Sequence, residues 1–271
     1  MKKQGWYRDL PETEYFGDPA LNSSIVKKKT AIAMKSELDG NRDLTPAQIN
    51  AFAQGTATHL ATLQPDRFEA ESIVVSTKGL TTKEAEEARA KYPHKAVITA
   101  DMREIALRQA DAVRKHGYAR EILEASVDRE ISGFATDENG IDLKARIDMR
   151  PPGANFLADL KTTSTEELRS FRNACVDFGY LIQAPFYLRV DGLITGQPRH
   201  NFAFVIVTKT PPYFVRVFQL TEESIHRAHD VLDRRLEIFR EAQRMRQWEG
   251  YENEGVRVID IPEWAWEQLE A

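Results

Sequence analysis

Asp159, Leu160 and Lys161 form one short run, and Asp148 stands on the segment before it. Leu143 to Asp148 reads as a strand, as does Asn155 to Lys161, and Pro151, Pro152 and Gly153 break the chain between them. Successive side chains on a strand point to opposite faces. Asp159 and Lys161 therefore share a face, while Ala158 and Leu160 turn to apolar packing. If the two strands lie side by side, Asp148 joins them, and two carboxylates meet one ammonium. Two hard oxygen ligands suit Mg²⁺, which keeps several waters and takes one or two carboxylates with a phosphate. A lysine beside such an ion can orient a water and offset developing negative charge. That is equipment for metal-assisted phosphodiester hydrolysis. An Asp and a Lys two apart on a strand are also often a surface ion pair of little worth. The adjoining turn and the apolar opposite face favour the site.

Further groups can join this set. Glu124 and Glu130 both precede the two strands, and either can supply another carboxylate. Glu124 follows the apolar pair Ile122-Leu123, which makes it the better ligand candidate; its alternative is a surface glutamate at a helix end. His59 follows Gly55-Thr56-Ala57-Thr58, small residues that permit close backbone approach, although a lone helical histidine is more often a packing residue. Gln183 and Tyr187 are spaced to share one helix face, suited to holding a phosphate or a water, or else a satisfied polar pair at a helix–sheet boundary.

Elements must position these groups. Met1 to Asp18 reads as an irregular arm, with the domain proper running from residue 22 to 271. Asn22-Ser23-Ser24 caps a helix to about Leu38. Thr45-Pro46-Ala47-Gln48 is a capping box that opens a helix continuing past Gly55 to Leu63, where Pro65 stops it. A short strand over Glu71 to Ser76, a charged helix over Thr82 to Tyr92 and a helix capped by Thr99 follow. Glu124 to Glu130 and Ile131 to Thr136 read as strands that lead, through a turn at Asp137-Glu138-Asn139-Gly140, into an antiparallel meander. Thr162 to Thr165 reads as a helix N-cap region. Two helices meet near Gly179, two apolar strands flank Pro211-Pro212, and a long helix begins at Thr221-Glu222-Glu223. This order predicts one α/β domain of mixed α+β type, a central mixed sheet flanked by helices.

Composition sets bounds. The 271 residues are 42% hydrophobic, enough for a proper core. The single cysteine, Cys175, excludes an intrachain disulfide framework and a one-chain iron–sulfur cluster. No run is long enough to span a bilayer, and Met1 to Leu10 lacks the apolar stretch of a secretory signal, so a cytoplasmic protein is expected. The net charge of −5 argues weakly against a nucleic-acid partner, but its distribution matters more. Acidic blocks sit at Glu84 to Glu87 and Glu249 to Glu254. Basic residues cluster elsewhere, at Lys27-Lys28 and at Arg169 with Arg172.

Taken together the residues resemble the PD-(D/E)XK nucleases, and more closely the exodeoxyribonuclease VIII type of prophage recombination systems. The resemblance runs from about Asn22 to Ala265 through Gly55-Thr56-Ala57-x-His59, Val97-Ile98-Thr99-Ala100, Glu124, Arg146-x-Asp148, Asp159-x-Lys161-Thr162-Thr163, Gln183-x-x-Phe186-Tyr187 and the tail Pro262-x-Trp264-Ala265. Ile147 stands where that family often carries proline. The resemblance implies Asp148 and Asp159 as metal carboxylates and Lys161 as the catalytic lysine. It implies the Leu160 carbonyl, Glu124 and His59 as further metal-site groups, and Gln183 and Tyr187 as motif residues beside them. It implies a Mg²⁺-dependent exonuclease, with Mn²⁺ able to substitute, that degrades linear double-stranded DNA 5′ to 3′ and leaves 3′ single strands for recombination. It further implies a cyclic homo-oligomer, expected as a trimer or tetramer with Lys27, Lys28, Arg169 and Arg172 as candidates to line its DNA channel, a single-strand annealing protein as partner, and a phage or prophage origin in a bacterial cell. Two other functions stay open: an endonuclease on the same core, and a DNA-binding or assembly module with a vestigial site.

Overall fold

The computed structural model describes residues 2–41, 43–250, 255–256, 258–263 and 265–266. Residues 251–254 of the acidic block and Trp264 of the tail pattern lie outside the described residues. The chain runs β1 (Gly5–Tyr7), α1 (Glu12–Gly17), α2 (Ser23–Val26), α3 (Ala31–Leu38), α4 (Pro46–Leu63), α5 (Pro65–Glu71), β2 (Ser72–Val75), α6 (Lys83–Lys91), β3 (Ala96–Thr99), α7 (Ala100–Lys115) and α8 (Gly117–Ala125). It continues β4 (Asp128–Thr136), β5 (Asp142–Arg150), β6 (Phe156–Thr163), α9 (Leu168–Asp177), α10 (Tyr180–Thr195), β7 (Asn201–Thr208), β8 (Val215–Gln219) and α11 (Glu222–Met245).

Six strands form one mixed sheet in the order β1-β4-β5-β6-β7-β8. Only β6 and β7 run parallel in it, with α9 and α10 carrying the crossover. β2 and β3 pair separately, in parallel. β7 shows why the sheet is central: Phe202, Phe204 and Ile206 join one core cluster, and Ala203, Val205 and Val207 join another. A strand buried on both faces reads as a continuous apolar run. On the first face, Leu143, Ala145, Ile147 and Leu157 meet Phe186 and Leu188 of α10 and Leu232 and Leu236 of α11. On the second, Met149, Ala158 and Leu160 meet Leu63 of α4, Val113 of α7 and Leu123 of α8. Each such large side chain, fully buried, contributes about 1.5–3 kcal/mol. Asp159 and Lys161 share the face of Leu157, as strand alternation predicts.

A buried ion cluster fastens the base of the two central strands. Asp191 of α10 is fully buried, with Oδ1 2.6 Å from Arg150 Nε of β5 and Oδ2 3.1 Å from Arg199 Nε. Arg199 Nη1 also donates to the carbonyls of Pro151, Ala154 and Phe156, which ties the β5–β6 turn to the helix.

Several expectations need correction. The first residues are no irregular arm. β1 pairs with β4 through Gly5–Phe134, Trp6–Gly133 and Tyr7–Ser132, and Tyr15 of α1 is buried. Leu21 bonds both Asp142 and Lys144 of β5, so the chain before residue 22 belongs to the sheet's edge. The helix opened by Asn22 stops at Val26, and Thr30 caps a second one. Pro65 starts α5 rather than only ending α4, because proline is tolerated in a first helical turn. The stretch Glu124 to Glu130 is the end of α8 followed by the start of β4. Thr163 and Thr165 brace the loop after β6, and α9 begins beyond them at Leu168 without a side-chain cap. Among the described residues no helix is long and apolar enough to cross a membrane.

Candidate active site

The β4–β5 hairpin sets the first half of the site. Asp137 Oδ1 accepts from the amides of Asn139 and Ile141, and Gly140 takes φ +78°. The ladder pairs Ile131 with Ile147 and Arg129 with Met149, which sets Glu130 opposite Asp148. Glu130 has φ +50°, a left-handed backbone that costs a non-glycine residue about 1–3 kcal/mol. The third member comes from α4, where His59 Nδ1 lies 3.3 Å from Glu130 Oε1 and 3.5 Å from Asp148 Oδ2. α4 is pinned for this task. Thr58 donates to the buried Gln109 of α7, which in turn donates to the Thr208 carbonyl of β7.

β6 supplies the second half. Asp148 Oδ2 accepts from the Leu160 amide at 2.7 Å. Asp159 and Asp148 are 2% and 5% exposed, so neither carboxylate is solvated. Asp159 Oδ2 lies 2.5 Å from Lys161 Nζ, and Asp159 Oδ1 accepts from Gln183 Nε2 at 2.6 Å. The other end of that glutamine, Oε1, accepts from both Lys161 Nζ and Lys27 Nζ at 3.2 Å. Lys161 Nζ also stands 4.6 Å from the centre of the Tyr180 ring.

Burial and the neighbouring Asp159 charge push Asp148 up to about 8, against the pull of His59 and Lys161. Burial opposes the charged imidazole of His59, but Asp148 and Glu130 outweigh it and lift His59 to about 9. Burial works against the Glu130 carboxylate too, yet the His59 hydrogen bond and charge hold it below its ordinary value. Lys161 is raised, because Asp159 and Asp148 overcome its burial. Lys27 is lowered to about 7 by burial and by the Lys161 cation.

Of the residues singled out in sequence, Asp148, Asp159, Lys161, His59 and Gln183 converge. Leu160 joins through its amide. Tyr187 is one turn along α10 from Gln183, half-buried, paired with the Ser23 side chain and kept protonated by burial. Glu124 does not join. It is exposed on α8, 4.0 Å from Arg120, because Ile122-Leu123 turn inward on a helix and leave Glu124 facing out. Glu130 stands in its place. Lys27 turns into the site rather than toward a channel, and Lys28 pairs with Glu37 at 3.3 Å. Arg169 and Arg172 are exposed on α9.

The site lies between two openings. A cleft of about 850 Å³ is lined by His59, Glu130, Asp148, Tyr187, Arg67 and Arg146. A smaller one of about 300 Å³ is lined by Lys161, Thr163, Asn173, Phe178, Tyr180 and Lys209. Ligand atoms of His59, Glu130 and Asp148 all lie within 4.8 Å of one another. A buried carboxylate such as Asp148, pushed up by burial and by neighbouring carboxylates, is what a divalent cation relieves, so the donor set fits a metal ion.

A family model for a PDDEXK-like domain of unknown function (DUF3799) matches residues 24–256. No curated protein matches the chain in sequence. Among solved structures, the "putative exonuclease" of Eubacterium rectale superposes with a TM-score of 0.61 over 94% of this chain and 96% of that one, at 13% identity. A likeness at that identity shows the fold. A phage related exonuclease from Haemophilus somnus 129PT covers 70% of this chain and 95% of its own at 11% identity, with a TM-score of 0.32. An alkaline exonuclease from Laribacter hongkongensis covers 74% and 96% at 16% identity, with a TM-score of 0.30.

Proposed function

This chain belongs to the PDDEXK-like family DUF3799, and from that premise we propose that it is a metal-dependent exonuclease that degrades linear double-stranded DNA from its ends. The observation that carries this reading is the meeting of buried Asp148 and Asp159 with Lys161, whose ammonium lies 2.5 Å from Asp159. His59, Glu130, Asp148 and Asp159 would hold the ion, with Mg²⁺ or Mn²⁺ as candidates, since carboxylates suit either. Such an ion, when bound, polarises a phosphoryl oxygen and makes its water a better nucleophile.

The chain's own groups do the rest. Lys161 gives a proton-bearing charge beside the reacting phosphate, where it orients the attacking water and offsets charge in the transition state. Gln183 fixes the Asp159 carboxylate through its amide. Tyr187, protonated, offers a hydroxyl in the larger cleft. Burial excludes bulk water and strengthens each of these interactions.

The reading extends to a cyclic homo-oligomer that encloses DNA, to work beside a single-strand annealing protein in recombination, and to 5′-to-3′ polarity. Arg169 and Arg172 are exposed on α9, and Lys161 and Lys209 line the smaller opening, which offers basic groups for a DNA path. The test is digestion of a linear duplex labelled separately at its 5′ and 3′ ends, beside a closed circle, with Mg²⁺ present or chelated. Early loss of the 5′ label and an intact circle are expected. Cleavage of the circle would make it an endonuclease, and an inert protein under either metal would make the site vestigial.

A further inference from the structure

Gln183 is 4% exposed and both ends of its amide are engaged. The carboxylate of Asp159 can only accept, and the ammonium groups of Lys27 and Lys161 can only donate. The amide therefore has one orientation that satisfies all of them: nitrogen toward Asp159, oxygen toward the lysines. Two donors share that one oxygen at 3.2 Å. Lys161 is the one with another task, since chemistry calls it to the phosphate.

The position of Lys27 is built for this contact. Gly179, at the start of α10, has φ +66°, and a Cβ there would come within 2.8 Å of Lys27 Cγ. Only a glycine both adopts that backbone and leaves room for the lysine stem. The Lys27 ammonium lies 5.6 Å from the Tyr180 ring centre, on the first turn of the helix. A helix N-terminus disfavours a cation, and Lys161 is a second one close by. The Tyr180 ring face and the Asp159 carboxylate pull the other way, and the hydrogen bond to Gln183 sets where the ammonium points.

We propose that Lys27 is a positioning residue: it holds the Gln183 carbonyl, so that the Gln183 amide stays on Asp159 while Lys161 turns to the reacting phosphate. Without Lys27, departure of Lys161 leaves a buried oxygen with no donor, and the amide is free to rotate and present that oxygen to the Asp159 carboxylate. This rests on the nuclease reading above, and it separates Lys27 from a residue that simply grips DNA.

A double-mutant cycle tests it. Lys27→Met should lower kcat on linear duplex DNA by about tenfold to a hundredfold, the range for a lost hydrogen bond to a charged group. KM should stay within about twofold, and Lys27→Arg should restore most of the rate. In a Gln183→Leu background, Lys27→Met should add less than about twofold, since coupled residues are not additive. Multiplying effects, or a raised KM with unchanged kcat, would overturn the proposal and make Lys27 a DNA contact. A second arm needs no activity. The Gln183 side-chain amide protons, identified by their loss in Gln183→Leu, should exchange slowly in the wild-type protein and clearly faster in folded Lys27→Met. Equal exchange in both would sink the proposal even if the enzyme cuts DNA. A wild-type protein that cuts no DNA would instead remove the nuclease reading, and the exchange arm would still decide the contact.

Discussion

Glu130 and Glu124 differ in what surrounds them, and that difference is testable. Glu130 meets His59 across from Asp148, while Glu124 meets solvent and Arg120. Glu130→Gln should weaken Mn²⁺ or Mg²⁺ binding by at least about tenfold in calorimetry, the scale of losing one charged contact. Glu124→Gln should leave both binding and cleavage unchanged. In the sequence Ile122-Leu123 look like apolar surroundings for a ligand, but they form the inward face of α8 and leave Glu124 outside. A usable signal was present: Glu130 and Asp148 lie equally far from Asn139, at the tip of the hairpin. Asp148, Asp159, Lys161 and Gln183 were legible because strand alternation and helix spacing alone put them on shared faces. Lys27 was not, since its direction depends on where α2 breaks and on the space left by Gly179, both set by packing.

The same residues dictate a pH dependence. An unfolded aspartate loses its proton near about 4, whereas Asp148 in the folded chain keeps it up to about 8. Its stabilising contribution is full below the lower value and is lost as pH rises toward the upper one. His59, held up to about 9, contributes below its ordinary value near about 6.5 and loses that contribution on the way up. The two titrate as a pair. The metal-free protein should therefore melt at progressively lower temperature from about pH 6.5 to about pH 9, and Mn²⁺ should stabilise it more at the upper end. Asp148→Asn should flatten that slope. A melting temperature that rises over this range would contradict the burial and charge argument.

At the scale of elements, α10 carries the site and also anchors the strands beneath it. Gln183 reaches Asp159 at one end of the helix, and Asp191 holds Arg150 and Arg199 further along it. Asp191→Ala leaves the half-buried Arg199 without its counter-charge and Arg150 with only Asp128, 3.5 Å away. Removing one partner of such a cluster costs about 3–5 kcal/mol. Urea unfolding should show that loss, and the surviving folded fraction should cut DNA poorly because β5 and β6 lose their shared clamp. A variant as stable as wild type would mean the Arg199 bonds to the turn carbonyls suffice alone. Long elements were legible from sequence: the capping box at Thr45, the Thr99 cap and the meander all stand as expected. β1 was not, because three residues are too few to show a period, and its place depends on the free edge of β4.

At the scale of the molecule, an acidic chain would have to gather its positive charge to bind DNA as proposed. The exposed candidates are Arg169 and Arg172 on α9, and Lys209 in the lining of the smaller opening. Lys28 is already paired with Glu37. On the proposed reading, repetition around a ring would bring such residues from several chains together. Light scattering should therefore give a trimer or tetramer, and cleavage of long linear DNA should fall steeply between about 50 and 200 mM salt as phosphate contacts are screened. A monomer that still digests DNA processively would remove the ring and leave the site untouched.

On the proposed mechanism Lys161 acts on the reacting phosphate while the carboxylates would hold the ion, and Lys161→Ala separates those roles. Metal binding by calorimetry and cleavage of an end-labelled linear duplex should be measured on the same preparation. The expected result is metal affinity close to wild type, with turnover lower by about a hundredfold or more. Metal affinity that collapses together with the rate, or a rate that survives, would contradict it.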